Sequence, residues 1–153
     1  MKIAVASDHA GFKLKEIIKN FLKENFKFEI EDFGTNSEES CDYPDYAKIA
    51  ALNVAKKKCK FGIIICGTGI GASIVANKIP GIRAALCSEP LSAKFSRSHN
   101  NANILCLGAR IIGEEMAKEI VKVFLEENFS GGRHKRRIKK IKKIEEEFKN
   151  VKI

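Results

Sequence analysis

Apolar residues follow two alternating rhythms along this chain, and the alternation itself predicts a fold. Short runs of consecutive apolar positions read as strands buried on both faces: Lys2 to Ala6, Phe26 to Phe33, Phe61 to Cys66, Ile82 to Cys87 and Asn103 to Leu107. Between them, apolar positions return every three or four residues, the period of a helix packed on one side. The first such stretch, Ala10 to Glu24, carries Phe12, Leu14, Ile17, Ile18, Phe21 and Leu22 on one stripe. The second opens at Pro44 and runs to about Lys58, with Tyr46, Ile49, Ala50 and Val54 inward. A glycine-led helix to about Lys78, Leu91 to Ser98, and Ile112 to Glu127 complete the set, and Pro80-Gly81 breaks the third. Regular alternation of strand and helix calls for a parallel sheet wound on both faces. The expectation is one domain over 1–153: a three-layer α/β/α, Rossmann-like fold with a five-stranded parallel sheet and an extra C-terminal helix.

That last helix follows Ser130-Gly131-Gly132 and runs from about His134 to Phe148. Ile138, Ile141, Ile144, Phe148 and Val151 recur every three to four residues, with lysines on the other faces. The stripe needs an apolar partner, either its own domain or a second subunit.

Composition narrows the class. With 44% hydrophobic and 31% charged residues, the chain is ordinary for a soluble globular protein. MKIAVASDHAGF meets Asp8 and His9 before a signal-peptide core could form, and no apolar run approaches the roughly 20 residues of a membrane span. A cytoplasmic protein with no membrane partner is expected. Five cysteines without a C-x-x-C pair or zinc spacing predict reduced thiols and no metal. The net charge is +9, yet ten Lys/Arg against three Glu from Arg133 onward account for +7 of it. A nearly neutral body, and a basic tail without interleaved aromatics, argue against a nucleic-acid partner.

Chemistry concentrates in FGIIICGTGIGAS, residues 61 to 73. A buried strand delivers Cys66, and Gly67, Gly69 and Gly71 turn the chain tightly into a helix whose N–H groups face the thiol. Such a thiol has an expected pKa of roughly 3.5 to 7.5 rather than about 8.5. Cys66 is thus a candidate base or nucleophile, whereas Cys106, inside an apolar run, reads as packing, and Cys41, Cys59 and Cys87 carry no such signal. Asp8-His9, Cys66 to Gly71, Ser88-Glu89 and Gly108-Ala109-Arg110 all follow strands and should share one sheet edge, where open α/β sheets hold ligands. His99-Asn100-Asn101 precede a strand and belong to the opposite edge, so His99 reaches the Cys66 loop most easily from a symmetry mate. GGRHKRR sets Arg133, Arg136 and Arg137 at a helix N-terminus, where cations oppose the helix dipole and ask for a bound anion.

Two other readings of these motifs exist. Gly67, Gly69 and Ala72 spell G-x-G-x-x-A, and Glu89 lies about twenty residues on, as a dinucleotide site asks. That pattern starts at the third strand and explains neither Cys66 nor GGRHKRR. A regulatory nucleic-acid module using the tail is the other reading.

IAVASDHAGFKLK, DYPDYA, GIIICGTGIGASIVANKIPGIRAALCSEP, SRSHNNANILCLGAR and GGRHKRR together resemble ribose-5-phosphate isomerase type B, of the family that also holds the galactose-6-phosphate isomerase subunits. The resemblance covers nearly the full length. It implies an aldose-ketose isomerase of the pentose phosphate pathway that passes through a cis-enediolate and needs no metal or cofactor. By the same resemblance Cys66 is the base, and Thr68 with the N–H groups of Gly67, Gly69, Ile70 and Gly71 holds the enediolate oxygens. His99 assisted by Asp8 opens the sugar ring, and His9, Arg133 and Arg137 clamp the phosphate. Asn100 and Arg110 match substrate contacts supplied by an adjoining subunit, and Tyr43 and His134 match positions near the pocket. The resemblance also implies a homodimer or dimer of dimers with the active site at the subunit interface. Both the cysteine loop and the His-Asn motif stand on this one chain, which favours ribose 5-phosphate over galactose 6-phosphate. Allose 6-phosphate remains an alternative.

Overall fold

The computed structural model describes residues 1–148; Val151, assigned to the stripe of the last helix, lies outside the described residues. The strands β1 (Lys2–Ser7), β2 (Glu29–Asp32), β3 (Phe61–Cys66), β4 (Ala84–Leu86) and β5 (Ile104–Gly108) form one parallel sheet, in the order β2-β1-β3-β5-β4. The helices are α1 (Phe12–Asn25), α2 (Tyr43–Ala55), α3 (Ile70–Asn77), α4 (Pro90–Ser98), α5 (Glu114–Glu126) and α6 (Gly132–Phe148).

Each sheet face has its own core. Ile3, Val5, Ile63, Ile65, Leu105 and Leu107 meet Leu14, Ile18 and Leu22 of α1 and Ile120 and Phe124 of α5. On the other face Ala4, Ala6, Ile64, Cys66 and Cys106 meet the alanine-rich sides of α2 and α3. All six residues of β3 are buried, which is why that strand reads as an unbroken apolar run. Among the described residues no helix is long and apolar enough to cross a membrane.

Several expected elements are altered by packing. A 3-10 turn at His9–Gly11 precedes α1, so the helix starts at Phe12 rather than Ala10. The buried side of α1 includes Lys15, 1% exposed, whose Nζ donates to Asp32 (2.5 Å) and Glu16 (2.8 Å), while Ile17 and Phe21 are only half-buried. β2 has four residues instead of eight, because Phe26 ends α1 and stacks on Phe28 (centroids 5.4 Å apart) before pairing begins. α2 presents Ala47, Ala50, Ala51 and Val54 inward, leaving Tyr46 half-buried and Ile49 45% exposed. The small side chains let the helix lie close on Ala4 and Ala6. β4 is reduced to three residues. α6 has no buried residue: it crosses Gly81, Ile82 and Arg83, and Glu145 accepts the Gly81 N–H at 2.8 Å. Its stripe is thus half covered by its own chain, with Ile144 57% and Phe148 62% exposed.

Candidate active site

The chain runs from β1 to one side for β2 and to the other side for β3, so the loops leaving β1 and β3 part and open a crevice at the strands' C-terminal ends. Asp8 and His9 enter it from β1, and Cys66 to Gly71 enter it from β3. The Cys66 thiol is 4% exposed and accepts the Gly69 N–H at 3.1 Å. This bond requires the left-handed backbone at Gly69 (φ 76°), which folds the turn back over the sulfur. The Ile70 N–H reaches Thr68 Oγ1 at 3.3 Å, and the first N–H groups of α3 have no acceptor within the helix. A sulfur, a hydroxyl and the positive end of a helix therefore converge on one small space.

Neighbouring side chains wall this turn. The Tyr43 ring lies so close to Gly71 that a Cβ there would sit 2.5 Å from Cζ. Arg110 covers Gly67, its Nη1 3.5 Å from where a Cβ would stand, and its N–H donates to the Gly67 carbonyl at 2.9 Å. Asp8, buried, accepts the Gly11 N–H at 3.0 Å and so fixes the turn carrying His9. His9 Nδ1 lies 3.2 Å from both the N–H and the carbonyl oxygen of Cys41. With Nδ1 unprotonated the ring accepts that N–H and Nε2 carries the proton, a donor suited to an anion; with Nδ1 protonated the ring donates to that carbonyl.

The other thiols are built differently. Burial, with Cys66 and Cys87 nearby, pushes the Cys106 thiol up, and burial next to Glu31 pushes Cys59 up to about 11. Among the described residues no three His, Cys, Asp or Glu side chains gather where they could hold a metal.

A second cluster occupies the opposite end of the sheet. His99 ends α4, and its ring is held between Phe95 (centroids 4.6 Å, planes 14° apart) and His134 (4.3 Å, 5°). His134 lies in the first turn of α6 beside Arg133, with Arg137 in the next turn, and Asn100 borders the groove beneath that helix. Burial, the adjoining His99 and the two arginines hold the His134 imidazole below its usual range.

The chain matches the model of the ribose/galactose isomerase family over residues 3–141. This chain belongs to that family. It is 49% identical to ribose-5-phosphate isomerase B of Escherichia coli over 95% of this chain and 97% of that protein. The structure of ribose-5-phosphate isomerase B from Clostridium thermocellum superposes with a TM-score of 0.94, at 50% identity over 97% of this chain and 99% of that one. The Mycoplasma genitalium ribose-5-phosphate isomerase B, solved with bound ribulose 5-phosphate, superposes at 0.91, with 44% identity over 95% and 97%.

For a ribose/galactose isomerase, then, the expected site residues fall into two groups at opposite sheet edges. Asp8, His9, Tyr43, Cys66, Gly67, Thr68, Gly69, Ile70, Gly71 and Arg110 share the crevice edge. His99, Asn100, Arg133, His134 and Arg137 share the other. Within its own chain Arg110 packs on Gly67. Two contributors were missed. Cys41 acts through its backbone, for which residue type gives no signal. Phe95 precedes His99 by four positions on a helix, a spacing that does predict neighbouring rings.

Proposed function

We propose that this chain interconverts ribose 5-phosphate and ribulose 5-phosphate, with Cys66 as the base, as a step of pentose phosphate metabolism. The Gly69 N–H on the Cys66 sulfur carries the reading, and the ribulose 5-phosphate bound by the Mycoplasma relative supports the substrate. In this scheme the Cys66 thiolate removes the C2 proton of the open-chain aldose. The C–H electron pair forms C1=C2, and the carbonyl pair moves onto O1. Thr68 and the turn's N–H groups hold the two oxygens of the resulting cis-enediolate, a type of stabilisation worth about 10²- to 10³-fold per donor. The thiol returns its proton to C1 as the proton on O2 passes to O1 and C2=O forms, and the ketose results. Before that, ring opening moves the anomeric hydroxyl proton to a base and supplies one to the ring oxygen as the C1–O4 bond breaks. His99, assisted by Asp8, does this work. His9, Arg133 and Arg137 take the phosphate, with Tyr43, Asn100, Arg110 and His134 completing the pocket.

β5 separates the two clusters by five residues, roughly 16 Å of strand. A complete site therefore takes its cysteine loop from one subunit and its His99 edge from another, in a homodimer or a dimer of dimers. Exposed Ile70, Ile74, Leu86, Leu91 and Ile111 around the crevice support such an interface.

EDTA-treated wild-type protein should convert ribose 5-phosphate, and Cys66→Ala should lose this activity. Iodoacetamide should label Cys66 near neutral pH, and ribulose 5-phosphate should block labelling. Activity surviving in Cys66→Ala would move the base elsewhere, and no wild-type activity would reject the substrate.

A further inference from the structure

The turn that follows His99 is held by two arginines, neither of them a sugar-phosphate contact in the scheme above. Asn101 has φ 46°, a left-handed backbone that side-chain-bearing residues seldom adopt, although asparagine tolerates it best. Arg97 sits beneath it, 7% exposed, with its guanidinium 4.6 Å from the Phe61 ring centroid and 5.6 Å from that of Phe124. Its Nη1 donates to Asn101 Oδ1 at 2.9 Å and to the Ala102 carbonyl at 2.6 Å, while its Nε is buried without a partner. From the β4 side, Arg83 Nε donates to the Asn100 and Asn101 carbonyls (3.1 and 3.0 Å) and Nη2 to the Asn101 carbonyl (2.9 Å).

This is a costly way to fill space. A guanidinium buried among rings and carbonyls, with one N–H unanswered, is harder to keep than an apolar side chain of similar volume. Phe61 and Phe124 would accept a methionine between them. What the arginine supplies instead is direction: every bond it makes goes to the two residues after Asn100, and every side-chain bond of Arg83 goes to Asn100 or Asn101.

We infer that Arg97, backed by Arg83, is a positioning residue that locks the 99–102 turn and so holds His99 and Asn100 in the geometry that ring opening requires. This rests on the role proposed for His99. The stacked Phe95 and His134 rings fix the plane of the imidazole; the arginines fix the backbone from which it projects. Displacing a reacting group by about 1 Å can cost about 10²-fold in rate.

The test separates ring opening from enediolate chemistry. Ribose 5-phosphate is supplied mostly as a closed furanose. Ribulose 5-phosphate, its O5 blocked by phosphate, has no furanose form, so exchange of solvent deuterium into its C1 position needs no ring opening. Arg97→Lys, Arg97→Met and Arg83→Gln are compared with His99→Ala in both assays. The Arg97 variants should lose about 10- to 100-fold in kcat from ribose 5-phosphate, with deuterium exchange nearly unchanged. Arg83→Gln should show the same split more weakly. Should Arg97→Met not fold, Arg97→Lys and Arg83→Gln decide the matter. Equal losses in both assays would mean a merely structural role and overturn the inference. A split in His99→Ala without one in the arginine variants would also overturn it, leaving the role of His99 intact. No split in His99→Ala would reject the His99 assignment and this inference with it.

Discussion

Replacing Gly69 by alanine tests the turn on which the Cys66 site depends, because two separable costs meet there. The backbone cost comes from φ 76°, where a Cβ crowds its own carbonyl by about 1–2 kcal/mol. The packing cost comes from the surroundings. A Cβ at Gly69 would lie 2.5 Å from Leu86 Cδ1 and 2.9 Å from the Leu107 carbonyl carbon. Leu86 is exposed and can swing away, but Leu107 belongs to the backbone of a buried strand and cannot. Overpacking of this kind adds roughly 1–3 kcal/mol, so the total is about 2–5 kcal/mol. Gly81→Ala is the control: its φ is 83°, yet nothing lies within 4 Å of its Cβ position. It should cost about 1–2 kcal/mol at most, partly offset by a less flexible unfolded chain. Urea unfolding and thermal melts of both variants measure the difference. At about 2–4 °C per kcal/mol, Gly69→Ala should melt about 4–20 °C below wild type. It should also slow iodoacetamide labelling of Cys66, because relief of the clash pulls the Gly69 N–H off the sulfur. Equal destabilisation by the two substitutions would refute the packing argument, and unchanged labelling would refute the link to the thiol.

Two further predictions concern pH. Burial alone would raise the Asp32 carboxyl, but hydrogen bonds from Lys15, Lys19 and the Gly34 N–H bring it below the usual carboxylate range. The folded state then binds this proton less readily than the unfolded chain, so the contribution is present above about pH 4 and lost as pH falls through the folded value. Asp32→Asn should flatten the loss of stability below pH 4 in urea titrations; an unaltered acid slope would assign that loss to other groups. His134 has the same sense, although here the disfavoured protonated form is the charged one. Its pKa is depressed by burial, His99, Arg133 and Arg137, so protonation opposes docking of the first turn of α6 as pH falls below about 6.5. Hydrogen exchange at 133–138, corrected for intrinsic rates, should quicken from pH 7.5 to 5.5, and His134→Phe should remove that dependence. A dependence that persists in the variant would exclude His134 as its source.

Where the chain is buried on both faces, its pattern was readable: β3 runs from Phe61 to Cys66 as the apolar run implies. Where one residue serves two environments, it was not. Lys15 looks like a solvated lysine until Asp32, Glu16 and the Phe12 ring surround it, partners distant in sequence or invisible to a hydropathy count. Ile49 looks like core, yet small Ala47 and Ala51 take the sheet because α2 must sit close to it. The division of the site between two edges followed from strand order alone, since His99 precedes β5 and Cys66 ends β3. The His134 half of the ring stack on His99 depends on where α6 returns, and no local pattern encodes that return.

The length of β5 has a genetic consequence. If a site draws Cys66 from one subunit and His99 from the next, Cys66→Ala and His99→Ala chains are each inactive alone, yet their mixed dimer has one site with both defects and one with neither. Two null alleles carried in the same cell would then complement one another. Random pairing of equal amounts would restore about a quarter of the wild-type activity, as two-fold symmetry dictates.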